Sequence, residues 1–173
     1  MNDRVFGKVI FTQEAIKSRV AELGLQISKD YANQELLMVG VLRGAYTFFA
    51  DLSRAVSLSI QVDFLMVSQQ RVISDLTENI AGRHVLIVED IVDSGATASF
   101  LKKALQTRNP KSVRLCTLLD KPYARKVAVD IDYIGFSAPD RFVVGYGLDY
   151  KNQYRNLPYI AVLEKANPNH AIA

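Results

Sequence analysis

The sequence predicts an α/β fold: a central, mostly parallel, twisted sheet flanked by helices on both faces, with a small β-rich hood beside it. Two observations carry this. Short apolar runs alternate with amphipathic stretches, the pattern of β-α-β units. The runs are also apolar at nearly every position, as strands covered on both faces must be. The chain of 173 residues, 49% hydrophobic and 23% charged, suits one domain that buries roughly 70% of its unfolded surface. We therefore expect a single domain over residues 1–173, with its core at about 8–120 and the hood built from the N-terminal strand and about 121–165.

The elements follow in order. Thr12 can cap a helix whose apolar positions Ile16, Val20, Leu23, Ile27 and Tyr31 recur at spacings of three and four, one helical face. The continuous run 36–42 reads as a buried strand, broken by Arg43-Gly44-Ala45. Residues 46–56 resume as a helix with Phe48, Phe49, Leu52 and Val56 inward. Strands are predicted at 62–67 and 84–88, the latter ending at Glu89 and Asp90. A turn over 91–95 opens a helix at 96–107, and a strand follows at 113–119. The pieces 133–136, 142–146 and 159–163, separated by Pro139, Gly147 and Pro158, are expected to form the hood.

Composition narrows the function. Lys and Arg number 21 against 18 Asp and Glu, a net charge of +3, too small and too dispersed to indicate nucleic acid. The single cysteine, Cys116, excludes an internal disulfide framework, and with two histidines no Cys/His zinc cage can be built. A reducing, cytoplasmic compartment is expected. The N-terminal residues lack a signal-peptide core, and no apolar run approaches the ~20 residues of a membrane span.

Ligands of open parallel sheets bind at the carboxyl ends of strands. Three such ends carry unusual residues: Arg43-Gly44, Glu89-Asp90 with Asp93, and Asp120-Lys121. In Val85-Leu86-Ile87-Val88-Glu89-Asp90-Ile91-Val92-Asp93-Ser94-Gly95-Ala96-Thr97, a buried strand runs into two carboxylates and then into a helix start. Free amides and the positive dipole end there suit a phosphate. Gly95 opens the backbone to close approach, and Ser94 and Thr97 add hydroxyls. The stretch lacks the lysine and spacing of a Walker loop. Its carboxylates would repel phosphate, so they must face sugar hydroxyls, a divalent cation, or both.

Residues 88–97 resemble the phosphoribosyl pyrophosphate (PRPP) signature of type I phosphoribosyltransferases, a hydrophobic strand, two acids, two apolar residues and D-[ST]-G-x-T. The resemblance implies that family's fold. It also implies that Glu89 and Asp90 hold the ribose hydroxyls and a magnesium ion, and that Asp93, Ser94, Gly95, Ala96 and Thr97 hold the 5′-phosphate. Further segments are similar to hypoxanthine-guanine phosphoribosyltransferases. Val41-Leu42-Arg43-Gly44-Ala45-Tyr46 resembles the pyrophosphate loop, with a cis bond expected between Leu42 and Arg43. Leu118-Leu119-Asp120-Lys121-Pro122 resembles the strand end whose lysine contacts the purine 6-oxygen. Residues 134–150, with Phe142-Val143-Val144-Gly145-Tyr146, resemble the purine-binding hood.

By that resemblance Phe142 stacks on the base, Val143 reads its edge through backbone groups, and Asp149 lies near the base and a second metal. Arg155 reaches pyrophosphate, and Asp93 is the expected general base. The implied reaction is purine salvage, transferring 5-phosphoribose from PRPP to hypoxanthine or guanine in a homodimer or homotetramer. The alternatives are a xanthine-preferring transferase or a nucleic-acid-binding regulator on the same fold. One departure stands out: a lid with a Ser-Tyr pair is normal before the acidic strand, yet residues 66–73 pass almost directly onward, roughly a dozen residues short. The sequence alone leaves open a true deletion or a mobile segment missing from the chain.

Overall fold

The computed structural model describes residues 6–164. Their elements are β1 (Phe6–Phe11), α1 (Gln13–Asp30), β2 (Leu36–Leu42), α2 (Tyr46–Ala55), β3 (Ile60–Ser68), β4 (Arg71–Ser74) and β5 (His84–Val92). After these come α3 (Ala96–Gln106), β6 (Ser112–Asp120), β7 (Tyr133–Ser137), β8 (Val143–Val144) and β9 (Ile160–Leu163). Six strands form the main sheet in the order β4-β3-β2-β5-β6-β7. All of its pairings are parallel except that of the edge strand β4 with β3. A separate antiparallel sheet, β1-β9-β8, makes the hood.

Alternation along the buried strands builds two cores. Leu36 and Met38, Leu86 and Val88, and Cys116 and Leu118 face α1 and α2, whereas Leu37, Val39, Val85, Ile87 and Leu115 face α3. Both faces are thus covered, which is why these strands read as continuous apolar runs. The helix α1 carries the predicted face, with Ile16, Val20, Leu23 and Ile27 all buried, and Thr12 Oγ1 accepts the Ala15 N–H at 3.2 Å as its cap.

Three details differ from the sequence reading. β5 does not stop at Val88: Glu89 and Ile91 keep their places opposite Thr117 and Leu119, because ladder hydrogen bonds hold the backbone whatever the side chains. β7 belongs to the main sheet, pairing Tyr133 with Cys116, and not to the hood; it covers an edge of β6 that would otherwise expose unpaired amides. The core therefore extends past residue 120. The outer limits of the expected domain, 1–5 and 165–173, and with them His170 and most of the N-terminal stretch, lie outside the described residues.

The chain order places the site. It runs from β2 outward through α2 to β3, then returns to the opposite side of β2 as β5. The strand order reverses between β2 and β5, and a crevice opens at their carboxyl ends. Beside it, β3 and β4 are joined by Gln69 and Gln70 alone, both at positive φ (48° and 57°). Two positive φ values make this a tight type I′ hairpin. It stands where a longer lid was expected.

Asp63 anchors the return from this hairpin. It is buried, and its Oδ2 accepts the Thr77 and Glu78 amides at 2.8 and 2.9 Å and the Thr77 hydroxyl at 3.2 Å. Burial raises its pKa, but these donors outweigh it and leave the carboxyl below its ordinary 3.8. A depressed carboxylate stabilises the fold above its unfolded pKa and loses that contribution as pH falls through the folded value. Asp63→Ala should cost about 1–3 kcal/mol at neutral pH. Urea unfolding should show this difference narrowing below about pH 4, and equal stability at pH 7 would contradict the assignment.

Candidate active site

The three predicted strand ends meet at the crevice. β2 ends in a cis peptide between Leu42 and Arg43, as the resemblance implied. Gly44 follows, and a Cβ there would lie 1.7 Å from Asp90 Oδ2, so no side chain fits between the loop and β5. From the hood, Gly147 closes the same spot; a Cβ on it would lie 2.2 Å from the Gly44 carbonyl. Arg43 points outward and is exposed.

β5 supplies the acidic pair. Glu89 is 6% exposed and Asp90 partly buried, with Asp90 Oδ1 accepting the Ile91 N–H at 2.9 Å. Burial drives Glu89 well above its ordinary range, and the neighbouring Asp90 charge adds to it. Burial likewise lifts Asp90 to about 6, opposed by the Ile91 amide and the Arg155 guanidinium and assisted by Asp149. Past Val92 the chain turns through Asp93 and Ser94 to Gly95 at φ +81°, which opens α3 with no side-chain cap. Asp93 projects into solvent with its side chain 55% exposed, and Thr97 is exposed on the first turn of α3.

Lys121, just past β6, is nearly buried at 7% exposure. Its Nζ donates to the Arg141 carbonyl at 2.8 Å and lies 3.9 Å from Asp93 Oδ2. The next residue, Phe142, is 54% exposed and meets Tyr150 edge-on at 5.9 Å, leaving a ring face open. Val143 is buried and paired with Val162. Arg155 pairs with Asp149 at 2.6 Å and donates through Nη1 to the Gly147 carbonyl, also at 2.6 Å. The expected residues therefore converge: Glu89, Asp90, Gly44, Asp149 and Arg155 around one corner, Asp93–Thr97 at a second, and Lys121, Phe142 and Val143 at a third.

Does this set fit a divalent cation? Glu89 and Asp90 are hard oxygen donors side by side with no salt bridge to either among the described residues. Their uncompensated repulsion is what a cation relieves. No group of three or more His, Cys, Asp or Glu among the described residues forms a cage, and Asp149 is held by Arg155. That suits magnesium, which binds through one or two carboxylates plus waters and substrate phosphates.

Some of the machinery escaped the sequence. Tyr146 donates to Asp51 at 2.5 Å, bracing the hood on α2. A cavity of about 670 Å³ lies behind the Arg43-Gly44 loop, lined in part by Tyr46, Thr47, Tyr146 and Arg155; its lining does not include residues 93–97 or Lys121. Arg125, in a loop after β6, reaches back under the turn at 93–97, donating to the Asp93 carbonyl.

Both acidic groups titrate higher folded than unfolded, so the folded chain holds extra protons: for Asp90 from the ordinary carboxylate range up to about pH 6, with Glu89 shifted in the same direction. Stability of the metal-free protein should fall as pH rises through that window. Asp90→Asn should restore on the order of 3 kcal/mol at neutral pH, and Glu89→Gln should act in the same direction. Thermal melts in chelator between about pH 4.5 and 7.5 check this; a lower melting temperature at pH 7 in both variants would contradict it.

Comparison with known proteins agrees with this geometry. The family model described as phosphoribosyl transferase domain matches residues 8–151. The hypoxanthine phosphoribosyltransferase of Escherichia coli (strain K12) is 48% identical over 165 residues, covering 88% of this chain and 93% of the relative. The hypoxanthine-guanine phosphoribosyltransferase of Bacillus subtilis (strain 168) is 44% identical over 169 residues, covering 92% and 94%. A crystal structure of a hypoxanthine phosphoribosyltransferase from Staphylococcus aureus superposes with a TM-score of 0.91 at 41% identity, covering 95% and 98%. The Escherichia coli alignment spans 165 positions yet occupies 88% of a 173-residue chain, so about a dozen of its positions face gaps here. With its reversing parallel sheet, acidic strand end and phosphate turn, the chain belongs to the phosphoribosyl transferase domain family, on the hypoxanthine-guanine phosphoribosyltransferase branch.

Proposed function

We propose that this enzyme transfers the 5-phosphoribosyl group of PRPP to nitrogen 9 of hypoxanthine or guanine, giving IMP or GMP and releasing pyrophosphate. One observation carries the reading: the phosphate turn, the acidic pair and Lys121 stand on adjacent strand ends at the reversal of the sheet, with Phe142 opposite. The turn at Asp93, Ser94, Gly95, Ala96 and Thr97 holds the 5′-phosphate on free amides and hydroxyls at a helix start. Lys121 offers a positive donor to the purine 6-oxygen and disfavours a 6-amino base. Phe142 stacks on the ring, and the backbone of Val143 meets its edge.

In the reaction the bond from the anomeric carbon to pyrophosphate oxygen breaks as nitrogen 9 bonds to that carbon, and nitrogen 7 gives up its proton. Asp93 is the base that takes it, being exposed at the mouth and 3.9 Å from Lys121. Amides of Arg43 and Gly44 and the Arg155 guanidinium face the departing charge. Magnesium, held by Glu89 and Asp90 with Asp149 nearby, supplies further positive charge to the pyrophosphate when bound.

Small-molecule substrates suffice; neither nucleic acid nor membrane is called for, and no described helix is long and apolar enough to cross a bilayer. A cytoplasmic setting fits a lone, buried Cys116. Assembly as a homodimer or homotetramer fits the exposed Val62 and Phe64 on the outer sheet and Tyr46 on α2.

A spectrophotometric assay with PRPP, magnesium and hypoxanthine, guanine or xanthine tests the reading. Turnover with the first two is expected; none with any purine would overturn it, and xanthine alone would shift the base assignment. Asp93→Asn should lower turnover by about 10²–10⁴-fold while substrate affinity holds. Unchanged turnover would remove Asp93 as the base.

A further inference from the structure

The phosphate turn is gripped from behind by one segment. The Val92 carbonyl accepts the Lys121 N–H at 3.0 Å. The Asp93 carbonyl accepts Arg125 Nε at 3.1 Å, and Arg125 Nη2 also reaches the Val92 carbonyl at 3.3 Å. The Ser94 carbonyl accepts the Lys126 and Val127 amides at 3.0 and 2.9 Å. Three successive carbonyls thus point into the segment 121–127.

Peptide planarity turns this grip into a statement about the other face. In a trans peptide the C=O and the following N–H point in opposite directions. With the carbonyls of Val92, Asp93 and Ser94 held behind, the N–H groups of Asp93, Ser94 and Gly95 are aimed away from the segment. Consecutive amides on one side of a turn form an anion-binding nest. Gly95 completes it, at φ +81° with its α-carbon so close behind that a Cβ would meet the Val127 carbonyl at 2.3 Å and Arg125 Cδ at 2.7 Å.

Backbone donors from 121–127 satisfy two of those carbonyls, but the Asp93 carbonyl depends on a side chain. Arg125 is held for this by Asp120, whose carboxylate pairs with the same guanidinium; both side chains are largely buried, at 18% and 15% exposure. Asp120 in turn stands opposite Val92 in the β5–β6 ladder. Nothing in this arrangement needs a ligand, so the nest is built before the phosphate arrives.

We propose that Arg125, held by Asp120, is a positioning residue that presets the phosphate-binding amides by fixing the Asp93–Ser94 peptide. The proposal rests on the reading of 93–97 as the 5′-phosphate site. Arg125 sits behind the turn and touches neither phosphate nor purine. Its loss should therefore weaken recognition of the phosphate while sparing the base.

Calorimetric titration with inosine 5′-monophosphate and with inosine, which lacks the phosphate, separates these effects. Wild-type protein should bind the nucleotide much more tightly than the nucleoside. Arg125→Gln should lose about tenfold or more for the nucleotide and under twofold for inosine, with the KM for PRPP raised and that for hypoxanthine unchanged. Arg125→Lys should recover part of the loss, and Asp120→Asn, which keeps the guanidinium, should show a smaller loss in the same direction if Arg125→Gln folds poorly. Equal weakening of nucleotide and nucleoside, or unaltered nucleotide binding in both Arg125→Gln and Asp120→Asn, would overturn the proposal. Absence of any nucleotide preference in the wild-type protein would instead remove the phosphate site itself, and the inference with it.

Discussion

Removing a carboxylate from water without a counter-charge costs several kcal/mol, and β5 carries two of them in succession at its buried end. Everything around Glu89 and Asp90 can be read against that cost. Among the described residues no lysine or arginine neutralises Glu89, and Arg155 only tempers Asp90 from a distance while engaged with Asp149. A fold selected for stability alone would not keep such a pair. The strand tolerates it because ladder bonds to β6 continue past both residues and because apolar layers on each face of the sheet supply the compensating burial.

The same edge explains the division of labour between the two sheets. The main sheet carries the acidic pair, the Arg43-Gly44 loop and the turn at 93–97, each at the end of a parallel strand. The hood contributes Phe142, Val143 and the Asp149–Arg155 pair from short antiparallel pieces. It touches the main sheet through few polar links, chiefly Lys121 to the Arg141 carbonyl and the Ala138 amide to the Asp120 carbonyl at 2.8 Å.

Much of this was legible in the residues. The apolar runs of β2, β5 and β6 announced doubly covered strands, and the spacing in α1 announced its buried face, because each pattern follows directly from burial. The turn at 93–97 was legible as a strand-helix junction because two acids, a glycine and hydroxyls mark the end of the strand and the start of α3. What could not be read were features set by three-dimensional pairing. β7 looked like its hood neighbours in length and flanking turns, yet its partner is β6. The polar pair in β5 looked like a strand end because hydrogen-bond ladders leave no trace in side-chain chemistry. Arg125 was hidden for the same reason: besides Asp120, its partners are main-chain carbonyls, which every residue possesses.

The hood joins chain segments that are far apart in sequence, since Phe6 lies opposite Leu163 in the pairing of β1 with β9. The acidic pair, the turn at 93–97 and the segment behind it, by contrast, lie within residues 36–127, among consecutive β-α-β units. On a ribosome these units can condense as they emerge, while β1 must wait, an unpaired strand with exposed amides, until β9 has been made. Contacts of such long sequence separation form late. Synthesis therefore passes through a stage at which the parallel sheet is complete while β1, six residues long, still lacks the strand it pairs with.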